Sequence, residues 1–351
     1  MPGSAVARLA RLADGYLVTQ LLHVAIALDV PEALVAGPRS AAELATQVGA
    51  RPEPLHRVLR GLASEEVLDE LPDGRFALTP VGQLLRAGVP GSLRGAVTAR
   101  ARLYHAAAAG LVDAVRHGGT PFEIVHGQPF FDHLGADPER LAAFQASMAD
   151  RSALEAGAVV DAYDVSGLRS VVDVGGGTGT LLRAVLARAP AADVVLVDRP
   201  EVAARSDLPA VAGDFFVAVP GGADAYLLSR VLHDWDDEDA RRVLRTCREA
   251  MRPDSVLLVV EAVLPERAVD DPAAVRMDLH VFLLLHGRER TAAEYAALFA
   301  STGLQLTADV PTDAGVHVLV ARQEGPSAHL DDEGAVPLVD GVHPDAGHAA
   351  G

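Results

Sequence analysis

The sequence predicts an α/β protein. A doubly wound parallel sheet closed by an antiparallel hairpin follows a mainly helical, winged-helix-like unit. Three observations carry this reading. From residue 170, short apolar runs (SVVDVG, DVVLVD, DAYLLSRVL, SVLLVVEAVL) alternate with helical stretches, the pattern of a parallel sheet covered on both faces. Two last runs, LQLTADVPT and GVHVLVARQ, are joined by a short polar turn and read as the hairpin. Near the N-terminus, two helical stretches precede a strand, a turn and a strand.

Taken in order, residues 5 to 30 read as one helix, with Leu9, Leu12, Leu17, Leu21, Val24 and Ala25 at roughly helical spacing. It carries more apolar surface than a small wing can cover, so a homodimer is expected. Ser40 and Glu43 form a capping box, and Gly49 closes that short helix. RPEPLHRVLRGLASEEV is a second helix, VLDEL–PDGR–FALT the wing, and PVGQLL opens another helix, so the winged pattern covers roughly residues 30 to 86. Residues 100 to 165 are largely helical. The loop GGTPFEIVHGQPFFDHL places Phe122, Phe130 and Phe131 together, either as packing between domains or as a wall for a flat apolar ligand. From Glu324 the tail is rich in Gly, Pro and Asp and has little periodicity, so disorder is expected. The expected division is 1–105 for the winged-helix-like domain, 106–165 for a helical connector, 166–323 for the ligand-binding domain and 324–351 for the tail.

Composition narrows the function. The 351 residues carry a formal net charge of −18 and no lysine, which disfavours nucleic acid as a partner. No run is apolar enough to span a bilayer and no secretion-signal layout opens the chain, so a cytoplasmic protein with no membrane partner is expected. Cys247 is the single cysteine. No internal disulfide can form, a structural zinc site has too few thiolates, and the amphipathic stretch around Cys247 suggests a half-buried helix residue.

In doubly wound sheets, ligands bind at the carboxyl ends of the strands. The first strand ends at Asp173 to Gly175, and Gly175, Gly177 and Gly179 allow a tight turn and a close ligand approach. The spacing breaks the G-x-G-x-x-G dinucleotide fingerprint at Thr180, and there is no phosphate-binding lysine. The next strand ends at Asp198, placed to accept from ribose hydroxyls. Asp214 and Phe215 in AVAGDFF suit the amino group and face of an adenine. The set describes a nucleoside pocket without a pyrophosphate site.

DVGGGTGTLL, VDRPEV, GDFF and LLSRVLHDWDDEDA, followed by VVEAVLP and GRERTAAEY, resemble the small-molecule O-methyltransferases that use S-adenosylmethionine. These include plant caffeate-type enzymes and bacterial antibiotic-tailoring relatives. The similarity runs from the winged-helix-like region to about residue 322. It implies a Rossmann-like methyltransferase domain behind a dimerisation domain. By that resemblance Gly175 and Gly177 pass the methionine part of the donor, Asp198 binds its ribose, Asp214 and Phe215 flank its adenine and Trp235 stacks on it. The family often carries a lysine where this chain has Ser229, with Arg230 beside it. The sequence leaves open whether Arg230 takes the lysine's place.

His233 falls just past an apolar strand, Glu261 inside a run that is otherwise apolar, and Glu289 in the loop GRERT. A carboxylate in a buried strand is costly unless paired. The physical reading is that His233 is a general base whose ring Glu261 and Glu289 orient, and the resemblance assigns the same roles. A phenol with a pKa of ~10 facing an imidazole of ~6.5 is a mismatch of about 5 kcal/mol, one that concerted proton removal can offset. An aliphatic alcohol is far harder. The gap favours phenolic or enolic hydroxyls, or carboxylates, over simple alcohols, and with the resemblance the expected acceptor is a small aromatic natural product with a phenolic or enolic hydroxyl, of aromatic polyketide type. In relatives Phe144, Met148, Met277 and Asp278 line the acceptor pocket, and Phe131, His280 and His286 are further candidates. Two alternatives stand beside this reading. One is the same fold repurposed for hydroxylation or decarboxylation. The other is a winged-helix ligand sensor on DNA, with Arg57 and Arg60 as its recognition arginines.

Overall fold

The computed structural model describes residues 4–324. Apart from Glu324, the tail expected to be disordered lies outside the described residues.

The expected first helix is two helices, Ala5–Ala13 and Gly15–Ala27, with the break at Asp14. Asp and Gly in succession are weak helix formers and favour a turn. The capping box at Ser40 forms, and Gly49 ends the helix Ala41–Val48 in the left-handed conformation at φ 69°. Helix Pro52–Ser64 follows. Strands Leu68–Glu70 and Arg75–Leu78 pair antiparallel as the wing, and a short strand, Arg39–Ser40, pairs with the second of them. Leu44, Leu59, Leu62 and Phe76 close this core. The helix Ala5–Ala13 contributes nothing to it: Val6, Leu9 and Leu12 are 78%, 68% and 66% exposed.

A long helix, α1 (Pro138–Ala162), leads into the main sheet. Its strands are β1 (Ser170–Val174), β2 (Asp193–Asp198), β3 (Ala210–Ala212), β4 (Ala225–Ser229), β5 (Val256–Glu261), β6 (Leu304–Pro311) and β7 (His317–Gln323), in the spatial order β6-β7-β5-β4-β1-β2-β3. The five strands from β1 to β5 are parallel, and β6 and β7 form the antiparallel hairpin expected from the sequence. Successive residues face opposite sides. Tyr226, Leu228, Leu257 and Val259 pack against helices α3 (Asp237–Ala250) and α5 (Ala292–Ala300). Val171, Leu227, Leu258 and Val260 pack against the end of α1 and helix α2 (Thr180–Arg188). Both faces are covered, which is why the strands read as unbroken apolar runs. Cys247 is fully buried, not half-buried as expected, because the apolar stripe of α3 lies on the sheet centre; burial pushes its thiol up to about 12.

Helix α4 (Pro272–Leu284) lies between β5 and the loop that leads to α5. Its last turn meets Phe122, Phe130 and Leu134, so the first two of these phenylalanines are packing residues. Among the described residues no helix is long and apolar enough to cross a membrane.

Candidate active site

The strand order places β1 beside both β2 and β4, so the carboxyl ends of β1, β2, β4 and β5 form one rim at the point where the winding reverses. Asp173, Asp198, Ser229 and Glu261 all stand at these ends.

After β1 the chain turns through Gly175, Gly177 and Gly179, with φ of 69°, 57° and 75°. A side chain is strained in that region. At Gly175 an added Cβ would also press on Val231 Cγ2 at 2.9 Å, whereas above Gly177 the space is open. The Gly177 amide donates to Asp198 Oδ2 at 2.9 Å, and the Arg199 amide to Oδ1 at 2.7 Å. A carboxylate has lone pairs left for further donors. Asp173 is 1% exposed and neither of its side-chain oxygens has a partner. Burial and the neighbouring Asp198 push it up to about 7. Asp214 is exposed and accepts from the Phe216 amide at 2.9 Å. The ring of Phe215 stands 6.2 Å from Trp235, edge to face.

His233 lies in a short turn after β4 and is 8% exposed. Two acids share its Nδ1. Glu289 Oε1 is the hydrogen-bond acceptor at 2.9 Å, and Glu261 Oε2 stands 3.1 Å away without an aligned bond. One N–H points at one acid, so their roles differ. Glu261 Oε1 accepts from the amides of Val231 and Leu232 at 3.0 and 2.9 Å and from that of His233 at 3.4 Å, fixing the turn that carries the ring. Burial lowers the basicity of His233, but the two carboxylates outweigh it and hold the imidazole well above its usual value. Nε2 is left facing Asp234 Oδ1 at 3.3 Å. Ligand atoms of His233, Glu261 and Glu289 lie within 4.8 Å of one another, close enough to hold a cation. Here the same carboxylates are already committed to the imidazole, to three amides and to Arg230.

Arg230, at φ 56°, is a strained non-glycine residue. Its Nη2 and Nε bind Glu155 at 2.7 and 3.2 Å, and its Nη1 binds Glu289 Oε1 at 3.2 Å. All three nitrogens of the guanidinium thus bind toward α1 and the base-supporting acid. Ser229, the position of the family's lysine, ends β4 with its side chain half-buried.

The acceptor candidates separate. Phe144 packs edge-on to Phe130 at 5.1 Å, and Met148 is half-buried on α1. Met277 Sδ is 3.0 Å from Arg151 Nη1. Asp278 Oδ1 accepts from the Glu289 amide at 3.0 Å, so it braces the base's support. Phe131 is 40% exposed and lies 5.9 Å under the guanidinium of Arg199, the residue that follows Asp198 in the chain. His286 is exposed and bound to Glu123 Oε1 at 3.1 Å.

Three residues escaped the sequence reading. Arg290 is fully buried and donates to the carbonyls of Leu232 and Trp235 at 3.1 and 3.0 Å and to Asp237 at 2.8 Å, holding the His233 turn from the side opposite Glu261. Gly287 passes against the same turn, leaving no room for a Cβ. Glu155 is the partner of Arg230. The alternation of arginine and glutamate in GRERT was a signal for Arg290. For Glu155 and Gly287 there was none.

Comparison with known proteins decides the family. An O-methyltransferase domain model matches residues 109–305, and an O-methyltransferase dimerisation domain model matches residues 10–88. The chain belongs to the O-methyltransferase family. It is 39% identical to the phenazine O-methyltransferase of Lysobacter antibioticus, over 90% of this chain and 95% of that one. It is 38% identical to the mitomycin biosynthesis 6-O-methyltransferase of Streptomyces lavendulae, over 86% and 90%. Among solved structures, a methyltransferase of calicheamicin biosynthesis with S-adenosylhomocysteine bound matches at a TM-score of 0.81 and 35% identity, over 91% of this chain and 98% of that one. The fold is the Rossmann-like methyltransferase fold behind a dimerisation domain. The family's methyl donor is S-adenosylmethionine, and the rim fits it: Asp173 offers an unpartnered buried carboxylate for an ammonium, and Gly177 offers open space.

Proposed function

We propose that this enzyme methylates a phenolic or enolic hydroxyl of a small aromatic natural product, with His233 as the general base. The observation that carries the reading is the pair of buried carboxylates on His233 Nδ1, which leaves Nε2, with only the partly exposed Asp234 Oδ1 3.3 Å away, as the nitrogen turned from the buried acids. Asp173, Gly175, Gly177 and Asp198 would hold the methionine and ribose parts of the donor, and Asp214, Phe215 and Trp235 its adenine. S-adenosylmethionine supplies an electrophilic sulfonium methyl when bound.

The chain's own work is alignment and proton removal. Alignment of two reactants in a fixed site is worth ~7–11 kcal/mol. His233 takes the hydroxyl proton on Nε2. Raising the imidazole above its usual pKa narrows the gap to a phenol, so proton transfer becomes less uphill. Glu289 holds the tautomer with the proton on Nδ1, and Glu261 and Arg290 keep the turn in place. The active form is a cytoplasmic homodimer through the N-terminal helices, supported by the uncovered Val6, Leu9 and Leu12 and by the match to the dimerisation domain.

The test is methyl transfer to a panel of phenols by the wild type and by His233→Ala, with S-adenosylhomocysteine affinity measured alongside. Donor-site affinity should be retained and turnover should fall by a factor of ~10²–10⁴. Equal turnover removes His233 as the base.

A further inference from the structure

Three arginines gather on the acceptor side of the site, and among the described residues none has an acidic partner within ion-pair distance: Arg100 on the π-helical turn Arg100–Tyr104, Arg151 on α1 and Arg276 on α4. Other arginines near the site are paired. Arg230 holds Glu155, and Arg290 holds Asp237. The side-chain contact of Arg151 is Met277 Sδ at 3.0 Å, and a thioether is a weak acceptor. A partly buried guanidinium with five donors and, among the described residues, only that hydrogen-bond partner is a costly arrangement until a stronger acceptor arrives.

The surroundings say which kind of acceptor fits. His280 lies one turn along α4 from Met277, and its ring meets Tyr104 edge-on at 5.0 Å. Burial, then Arg100, Arg151 and Arg276, press His280 down to about 4, so it is a neutral hydrogen-bonding group beside a positive cluster. Burial raises the Tyr104 phenol against the opposing pull of Arg151 and Arg100, and the charges of Asp234 and His233 also act on it, so Tyr104 is linked both to the cluster and to the base. Among the described residues, the acids that act on Arg151 and Tyr104 are Glu155 and Asp234, and neither neutralises the cluster. Glu155 is one turn along α1 from Arg151, with both oxygens bound by Arg230. Asp234 stands on His233 Nε2. A chain of net charge −18 therefore holds a locally positive, aromatic-lined patch next to its base.

We propose that Arg151, with Arg100 and His280 beside it, forms a subsite for a carboxylate carried by the aromatic acceptor, so that the enzyme's own acceptor is a hydroxylated aryl carboxylic acid. This rests on reading the cleft as an acceptor pocket. A planar guanidinium takes a carboxylate in two parallel hydrogen bonds, which fixes orientation as well as affinity. Anchoring the acid at Arg151 sets which ring hydroxyl can reach His233. The donor also carries a carboxylate, but the glycine turn that would hold it packs against Val231, Phe215 and Leu208, whereas the contacts of Arg151 and Tyr104 are on α4.

The experiment is calorimetric titration of the full chain, saturated with S-adenosylhomocysteine, with 1-naphthoate and with its neutral carboxamide. The wild type should prefer the acid by roughly 10–100-fold. Arg151→Met should remove that preference by weakening the acid alone, with S-adenosylhomocysteine affinity unchanged. Equal binding of acid and amide by the wild type overturns the proposal. So does an Arg151→Met protein that loses S-adenosylhomocysteine, an outcome that assigns the cation to the donor. The acid–amide comparison on the unaltered protein needs no variant, so misfolding of Arg151→Met leaves the test standing. Neither probe has a hydroxyl, so a protein that discriminates between them yet methylates no phenol keeps this subsite and loses the function proposed above.

Discussion

Gly287 lies so close beneath the carbonyl oxygen of His233 that one added methyl group would overlap it. The contact is backbone against backbone, so no side chain can rotate away. Gly287→Ala must push the His233 turn off Glu261 or push the loop carrying Glu289 outward. The expected cost is about 1–3 kcal/mol of stability. Displacement of the base should lower kcat by roughly 100-fold. Thermal unfolding and steady-state kinetics read the two effects separately. An alanine variant with wild-type turnover would show that this contact does not set the base.

Glu289 makes the aligned bond to His233 Nδ1 and helps hold the imidazole above its ordinary pKa. A base works only when neutral, so kcat/KM should rise with pH, with its midpoint above 6.5. In Glu289→Gln the charge is gone and the imidazole pKa falls. The rising limb should then move to lower pH by about one to two units, and the plateau should drop. A pH–rate profile measures both. A limb that stays in place assigns the titration to another group.

Asp173 is a different case, a buried acid with no partner and a folded pKa of about 7. Because that value lies above its unfolded one, the native state binds a proton the unfolded chain gives up. Stability is lost as pH rises from about 4 to about 7 and stays lower above that range. Asp173→Asn should therefore stabilise the ligand-free protein at pH 8, by roughly 2–4 kcal/mol, with little change at pH 4. The same variant should bind the donor less well. Unfolding at both pH values and a titration with S-adenosylhomocysteine test the exchange. A variant that is less stable at pH 8 refutes the assignment.

Leu9 and Leu12 lie on the uncovered face of the first helix. Light scattering should give a dimer for the wild type and a monomer for the double variant Leu9→Asp, Leu12→Asp. A wild-type monomer would end the dimer reading.

What could be read from the sequence was what is local. The capping box at Ser40, the glycine turn after β1 and the apolar strand runs are each set by neighbours within a few residues. The grouping of His233, Glu261 and Glu289 was legible because a buried strand tolerates a glutamate only when something meets it. Contacts made by chance of topology were not legible. Nothing near Glu155 announces Arg230, and the tightness at Gly287 exists only once two loops have met. Asp14 breaks a helix whose apolar spacing runs straight through it, because spacing does not register backbone preference. Arg230 was weighed as a donor contact, and its guanidinium is turned to Glu155 and Glu289 instead. His286 and Phe131, weighed for the acceptor wall, stand exposed against Glu123 and Arg199.

Glu261 is the last residue of β5, and its neighbour across the sheet is His317 of β7. Among the described residues, the strand that flanks β5 on that side is the last one to be made. Every residue assigned to the base and its supports has been synthesised by Arg290. Yet β5 keeps an open apolar edge until residues 317–323 arrive to cover it, and an open edge recruits other chains. A chain cut between these two points would carry the catalytic residues on a sheet whose β5 edge is unpaired. The pairing of β5 is thus set by residues made after the catalytic set is complete.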